Sequence, residues 1–186
     1  MTQDRRSLIL DAAEALFSEL GFDATPTARI AADAGVPKGL VFYYFPRKID
    51  LLLALLEERL PTTPSCQIEA VVREGDTAGS LVRLDEELGL DAHESLVLRR
   101  IVFREGGTHP EVREYLRNLR HSLVTLTETV LDRTVRQPLD PKLRSQAAQT
   151  FVAVMLDRAN ASRIGSALPD LSGAARVVAL AVQPAG

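Results

Sequence analysis

The stretch that decides the fold is Thr25–Leu51, TPTARIAADAGVPKGLVFYYFPRKIDL. Glycine and proline cut it into short helix-length pieces. Thr25-Pro26 is a helix start, a hydroxyl that caps followed by a residue whose φ is already helical. The helix it opens carries Ile30, Ala31 and Ala34, and Gly35 ends it. Small side chains at 31 and 34 let a second helix cross closely. Gly35 allows the positive φ of a tight turn, and Val36 and Val41 plug the angle between the helices. Pro37 opens the second helix, which runs through Phe45 and is closed by Pro46. Val41 and Phe45, four apart, share the face expected to meet the core, which leaves Lys38, Leu40, Tyr43 and Tyr44 pointing elsewhere. Aromatic hydroxyls and a lysine on the outside of a two-turn helix are unusual for a solvated surface. They suit a face that lies in a DNA major groove.

On the N-terminal side, Ile9, Ala12, Ala13, Leu16, Phe17 and Leu20 follow the i, i+3, i+4 spacing of an amphipathic helix, stopped at Gly21. On the C-terminal side a fourth helix is expected over 47–60, ended by Pro61. Arg47 and Lys48 stand at its start, where the macrodipole disfavours cations. Lys48 beside a helix N-terminus reads as a phosphate clamp, with Thr25 and Thr27 as a second clamp across the groove. Arg47 reads equally as an i, i+3 partner of Asp50, and Arg29 as a solvating charge or a DNA contact.

Beyond residue 60, the segment 61–76 reads as a connection with one turn around Ile68 to Val72. Helical spacing resumes over 77–88, 92–105, 110–136, 140–164 and 171–182, punctuated by Gly106-Gly107 and Gln137-Pro138. Val112, Leu116, Leu119, Leu123, Leu126 and Val130 form a heptad stripe along the longest of these. With no sustained strand alternation, the fold class is all-α. Residues 143–164 carry apolar or small side chains on both faces (Leu143, Ala147, Phe151, Val154; and Ala148, Val152, Met155, Ala159), and 174–182 is almost wholly apolar. Such helices need cover on more than one side, so a two-fold homodimer is expected through 140–164 and 171–182. Arg99, Tyr115, His121, Asp157 and Asn160 are polar residues embedded in these helices. With Phe103 they are the candidates for a small-molecule pocket, and each also reads as a surface or satisfied core position.

The net charge of −3 argues against a blanket attraction to nucleic acid, but charge is local. Within 29–48, Arg29, Lys38, Arg47 and Lys48 face only Asp33. His93, His109 and His121 lie on separate segments without metal-ligand spacing, and Cys66 is the single cysteine, an incidental thiol, so no metal and no cofactor are expected. No phosphate loop, nucleophile elbow or paired-carboxylate motif is present; Asp85-Glu86-Glu87 reads as a solvated helix face. The chain does not read as an enzyme. No apolar run approaches membrane-spanning length and the start does not resemble a signal peptide, so a cytoplasmic location is expected.

Taken together, ILDAAEALFSELGFDAT (9–25) and RIAADAGVPKGLVFYYFPRKIDLLLALLEE (29–58) resemble the DNA-binding domain of the TetR (tetracycline-repressor) family. The resemblance implies an N-terminal three-helix helix-turn-helix domain in 1–60 and a ligand-binding and dimerisation domain in 61–186. It places Thr25 and Thr27 at a phosphate-contacting helix start, Lys38, Gly39, Leu40, Tyr43 and Tyr44 on the recognition helix, and Lys48 on the DNA backbone. Pro37, Leu40 and Phe42 depart from the family's usual capping hydroxyl, threonine and tyrosine. It further implies a homodimeric repressor of double-stranded DNA, released from a palindromic operator by a small-molecule effector. The alternative is an effector-independent DNA-binding dimer acting through a protein partner or as an architectural protein.

Overall fold

The computed structural model describes residues 4–59, 61–90, 107–161 and 170–183, with 159–161 described by their backbone only. Among the described residues there are nine helices and no strand. In chain order they are α1 (Arg5–Leu20), α2 (Thr27–Asp33), α3 (Lys38–Tyr44), α4 (Lys48–Arg59), α5 (Ile68–Val71), α6 (Thr77–Leu88), α7 (Pro110–Thr134), α8 (Pro141–Ala161) and α9 (Leu171–Val182). The helix expected over 92–105, with Arg99 and Phe103, lies outside the described residues, as do the side chains of Ala159 and Asn160. The chain divides into two compact units, Met1–Thr62 with His93–Arg117, and Thr63–Ala92 with Asn118–Gly186.

The first unit is built on one apolar core. The spacing of α1 turns Ile9, Leu10, Ala13, Leu16 and Phe17 to a single buried face. Opposite it α4 supplies Leu51, Leu52, Leu55 and Leu56. Ile30 and Ala31 of α2, Val41 of α3, and Phe22 and Phe45 from the connections close the cluster. Each fully buried leucine or phenylalanine is worth about 1.5–3 kcal/mol. Helices of seven residues are not stable alone, so α2 and α3 exist because they are docked on this core. The start of α7 belongs to the same cluster through Val112 and Tyr115, with Leu116 packed beside them. Tyr115, a pocket candidate in the sequence, is therefore a core residue of the unit that holds the helix-turn-helix. Burial, and then the hydrogen-bonded Glu57 carboxylate, push its phenol above its ordinary range.

In the second unit α9 packs on both α6 and α8, burying Leu171, Ala175, Val178, Ala179 and Val182. The starts of α6 and α9 are fixed alike: the carboxylates of Asp76 and Asp170 accept from the backbone N–H of Gly79 and Gly173, each at 2.9 Å. The two apolar faces expected on α8 are corrected by the structure. Ala147, Ala148, Phe151, Val152 and Met155 are all buried and form one wide stripe, while Gln146, Gln149, Thr150 and Ala153 are exposed opposite it. On α9 the large apolar residues left uncovered are Val177 and Leu180, 65% and 69% exposed.

A second correction concerns Asp85, expected on a solvated face. It is buried on α6 and accepts from the Arg158 guanidinium of α8 at 3.2 Å. Leu81 and Leu84 are buried on α6, and position 85, one turn after 81 and next to 84, is carried inward with them. An acid survives there because a cation meets it. Asp85→Ala would strand a largely covered guanidinium and is expected to cost about 2–3 kcal/mol. The loss should appear as a lower urea midpoint, and adding Arg158→Leu should recover part of it. A midpoint equal to the parent's would contradict the buried pair.

Candidate nucleic-acid interface

The interface is built outward from the end of α1. Gly21 takes φ 87° and its N–H donates to the Phe17 carbonyl at 3.0 Å, ending the helix. Thr25, expected as a capping hydroxyl at the surface, is only 1% exposed. Its hydroxyl donates to the Gly21 carbonyl at 2.6 Å, and the cap position of α2 falls to Pro26 instead. A side chain two residues before the helix turned inward because the turn it closes is itself buried. Thr27 is the first residue of α2 and is half-buried.

Between α2 and α3 the chain turns in four residues, 34–37. Gly35 takes φ 64°. The N–H of Val36 donates to the Ala31 carbonyl at 2.9 Å and that of Gly35 to the Ala32 carbonyl at 3.1 Å. These paired bonds satisfy the last carbonyls of α2 and require a left-handed residue at 35, which only glycine takes without strain. Val36 packs on the core, as its position in the turn predicts. Pro37 caps α3 rather than opening it.

α3 is anchored by Val41 and Phe45, 1% and 4% exposed, as the four-residue spacing predicts. Its outer side carries Tyr43, 77% exposed, and Lys38, whose Nζ lies 5.7 Å from the centroid of the Phe42 ring. Phe42, 42% exposed, is a surface aromatic absent from the sequence-based candidates. The helical wheel carried the signal: with 41 and 45 inward, 42 falls about 100° off the anchored face. Tyr44 is half-buried and packs on the core, meeting Tyr43 edge to face at 5.4 Å. Leu40 is half-buried, and a methyl placed at the exposed Gly39 would meet nothing within 4 Å.

The cations near the helix starts are largely engaged. Arg29 lies 3.9 Å from Asp33 one turn on, a loose exposed pair. Arg47 forks onto Asp50, with Nε 3.0 Å and Nη2 2.5 Å from Oδ1, and its backbone N–H donates to Oδ2 at 3.0 Å. Asp50 thus caps the start of α4, and the guanidinium draws its carboxyl below the ordinary range. Lys48, expected to face outward, turns its ammonium onto the carbonyls of Phe22, Asp23 and Thr25.

The remaining pocket candidates are not brought together. His121 lines a shallow groove with Thr63, Pro64, Thr125 and Thr129, and Asp157 is exposed on α8. The second unit holds a different, half-open cavity of about 580 Å³, lined among others by Thr77, Thr134, Val135, Leu139, Leu143 and Val182. The Cys66 thiol is pushed up by burial and then by Glu87 and Glu69, which makes it a poor nucleophile. Among the described residues there is no cluster able to hold a metal ion, and no helix long and apolar enough to cross a membrane.

Residues 9–55 match the family described as bacterial regulatory proteins, tetR family. The HTH-type transcriptional regulator HbdR of Aromatoleum sp. (strain CIB) is 40% identical over 62 residues, which cover 33% of this chain and 27% of HbdR, so the match spans well under half of that relative. The fatty acid metabolism regulator protein of Bacillus subtilis (strain 168) is 26% identical over 145 residues, 74% of each chain. Among solved structures, the complex of SmeT with triclosan superposes with a TM-score of 0.75 at 24% identity, covering 99% of this chain and 94% of that one; SmeT is the repressor of the Stenotrophomonas maltophilia multidrug efflux pump SmeDEF. The helix-turn-helix is built from the same residues that carry the match, so over residues 9–55 the chain is similar to the DNA-binding domain of the tetR family, and the superposition on SmeT extends the likeness of fold to the whole chain.

Proposed function

We propose that this chain is a homodimeric, ligand-responsive repressor acting in the cytoplasm on a palindromic operator, with α3 of each protomer in one major groove. The observation that carries the reading is the outer side of α3. Tyr43, Phe42 and Lys38 stand exposed on a helix whose other side is locked by Val41 and Phe45. Exposed aromatics on a rigid mount are costly in water and useful against base edges and thymine methyls. Thr27 and Arg29, at and near the start of α2, are the proposed backbone contacts, with Gly39, Leu40 and the half-buried Tyr44 completing the reading surface. Two-fold symmetry would set half-sites about one helical turn, or a multiple of it, apart.

The uncovered Val177 and Leu180 of α9 support a homodimer that uses this helix, since a pair of large apolar side chains left in water favours a partner. The 580 Å³ cavity of the second unit has the size of a small-molecule site. SmeT was solved with triclosan, and the Bacillus relative is named for fatty acid metabolism; an amphiphilic or largely apolar effector fits both the cavity's lining and these relatives. Such a ligand would act by population shift, favouring a spacing of the two reading heads that no longer fits successive grooves.

Selection of duplexes from a random library should recover an inverted repeat, and Tyr43→Ala should change which bases are preferred within it. Recovery of no repeat, or equal affinity for random DNA at physiological salt, would sink the specific-regulator reading. Gly39 separates stability from function. Gly39→Ala fills open space in a helix and should stabilise the fold by about 0.5–1 kcal/mol, yet weaken binding to the selected duplex because DNA approaches the helix there. Unchanged affinity would mean that the glycine is not a point of close approach.

A further inference from the structure

Two cations at the start of α4 are unfavourable by the helix dipole alone, and the structure accounts for both from within the chain. Arg47 is neutralised by Asp50. Lys48 is held by a different helix end: its Nζ lies 2.7 Å from the Phe22 carbonyl oxygen, 3.1 Å from that of Asp23 and 3.2 Å from that of Thr25. It also sits 4.5 Å from the centroid of the Phe22 ring. An ammonium has three N–H donors and no acceptor, so these three carbonyls use its donors in full. They lie just past the C-terminus of α1, where orphan carbonyls and the negative end of the dipole favour a cation. The position of Lys48 is thus explained by the end of α1, with no phosphate required.

We propose that Lys48 is a positioning residue for DNA reading rather than a phosphate contact: it ties the first residue of α4 to the turn between α1 and α2. The tie reaches from the last buried aromatic after α1 to the threshold of α2, so it sets where α2 begins relative to the α1–α4 pair. α3 is fixed to α2 by the four-residue turn around Gly35 and inherits that setting. The proposal rests on the reading of α3 as the DNA-reading helix. Lysine suits the task because its compact ammonium can meet three converging carbonyls, whereas the planar fork of arginine cannot aim its donors at them.

The test uses the full chain as wild type, Lys48→Met and Lys48→Arg. Two readouts are taken: amide hydrogen exchange at Thr25, whose N–H closes the turn onto the Phe22 carbonyl, and the salt dependence of binding to the selected inverted repeat and to a scrambled duplex of equal length. Both variants are expected to speed exchange at Thr25, Lys48→Met by about tenfold or more. Both should lower the preference for the selected duplex while leaving the slope of log affinity against log salt at the wild-type value. Lys48→Arg keeps the charge and carries the test if Lys48→Met does not fold. Unchanged exchange overturns the proposal. So does a slope shallower by about 0.9 in Lys48→Met, restored in Lys48→Arg with duplex preference intact, because that is the signature of a lost phosphate contact. If the wild type itself does not distinguish the two duplexes, the reading of α3 fails, and the exchange rates alone decide whether Lys48 ties the turn.

Discussion

Everything this molecule presents to a partner in its N-terminal unit depends on the burial of Val41 and Phe45. A seven-residue helix cannot hold itself together in water, because nucleation costs more than two turns of hydrogen bonds return. Docking those two side chains into the core shared with α1, α2 and α4 makes α3 a helix and at the same moment decides which residues it shows. Tyr43 and Phe42 are displayed as a consequence of where the anchor lies. The exposed face and the core are one design problem, solved by a single four-residue spacing.

The turns around this anchor use up groups that the sequence alone leaves free. The Thr25 hydroxyl, the Lys48 ammonium and the Asp50 carboxylate each satisfy backbone at a helix end. Three helix termini crowd into a short stretch of chain, and their orphan donors and acceptors must find partners. Polar residues placed near the proposed DNA surface therefore divide into two kinds: those that build the mount, and those that stand on it. Thr25 and Lys48 belong to the first kind, Tyr43 and Lys38 to the second.

Local spacing made most of the fold legible. The alternation of apolar positions, Gly21, Gly35 and the prolines located α1 to α4 nearly to the residue, and α9 fell where the sequence placed it, because these are properties of short segments. What escaped was non-local. Nothing within reach of Asp85 in the chain announces Arg158, and nothing near Tyr115 announces that the start of α7 completes the core of the helix-turn-helix unit. The direction of Lys48 escaped for the same reason: its carbonyl partners lie more than twenty residues upstream. The exposure of Phe42, by contrast, is a local property, set by its place on the helical wheel relative to the anchors at 41 and 45. Of the pocket candidates, chosen for polarity within apolar runs, Tyr115 fell in a core and Asp157 on a surface, because polarity alone does not say which.

The side of α3 opposite its anchor is the surface proposed to meet DNA. The most direct measurement replaces Tyr43 with a photo-crosslinking phenylalanine analogue and irradiates the protein on its selected duplex, with the same probe at Val177 as the comparison. Crosslinks are expected from position 43 to bases in the major groove of each half-site, and none from position 177. Crosslinks from 177, or silence at 43 while the duplex stays bound, would contradict that role.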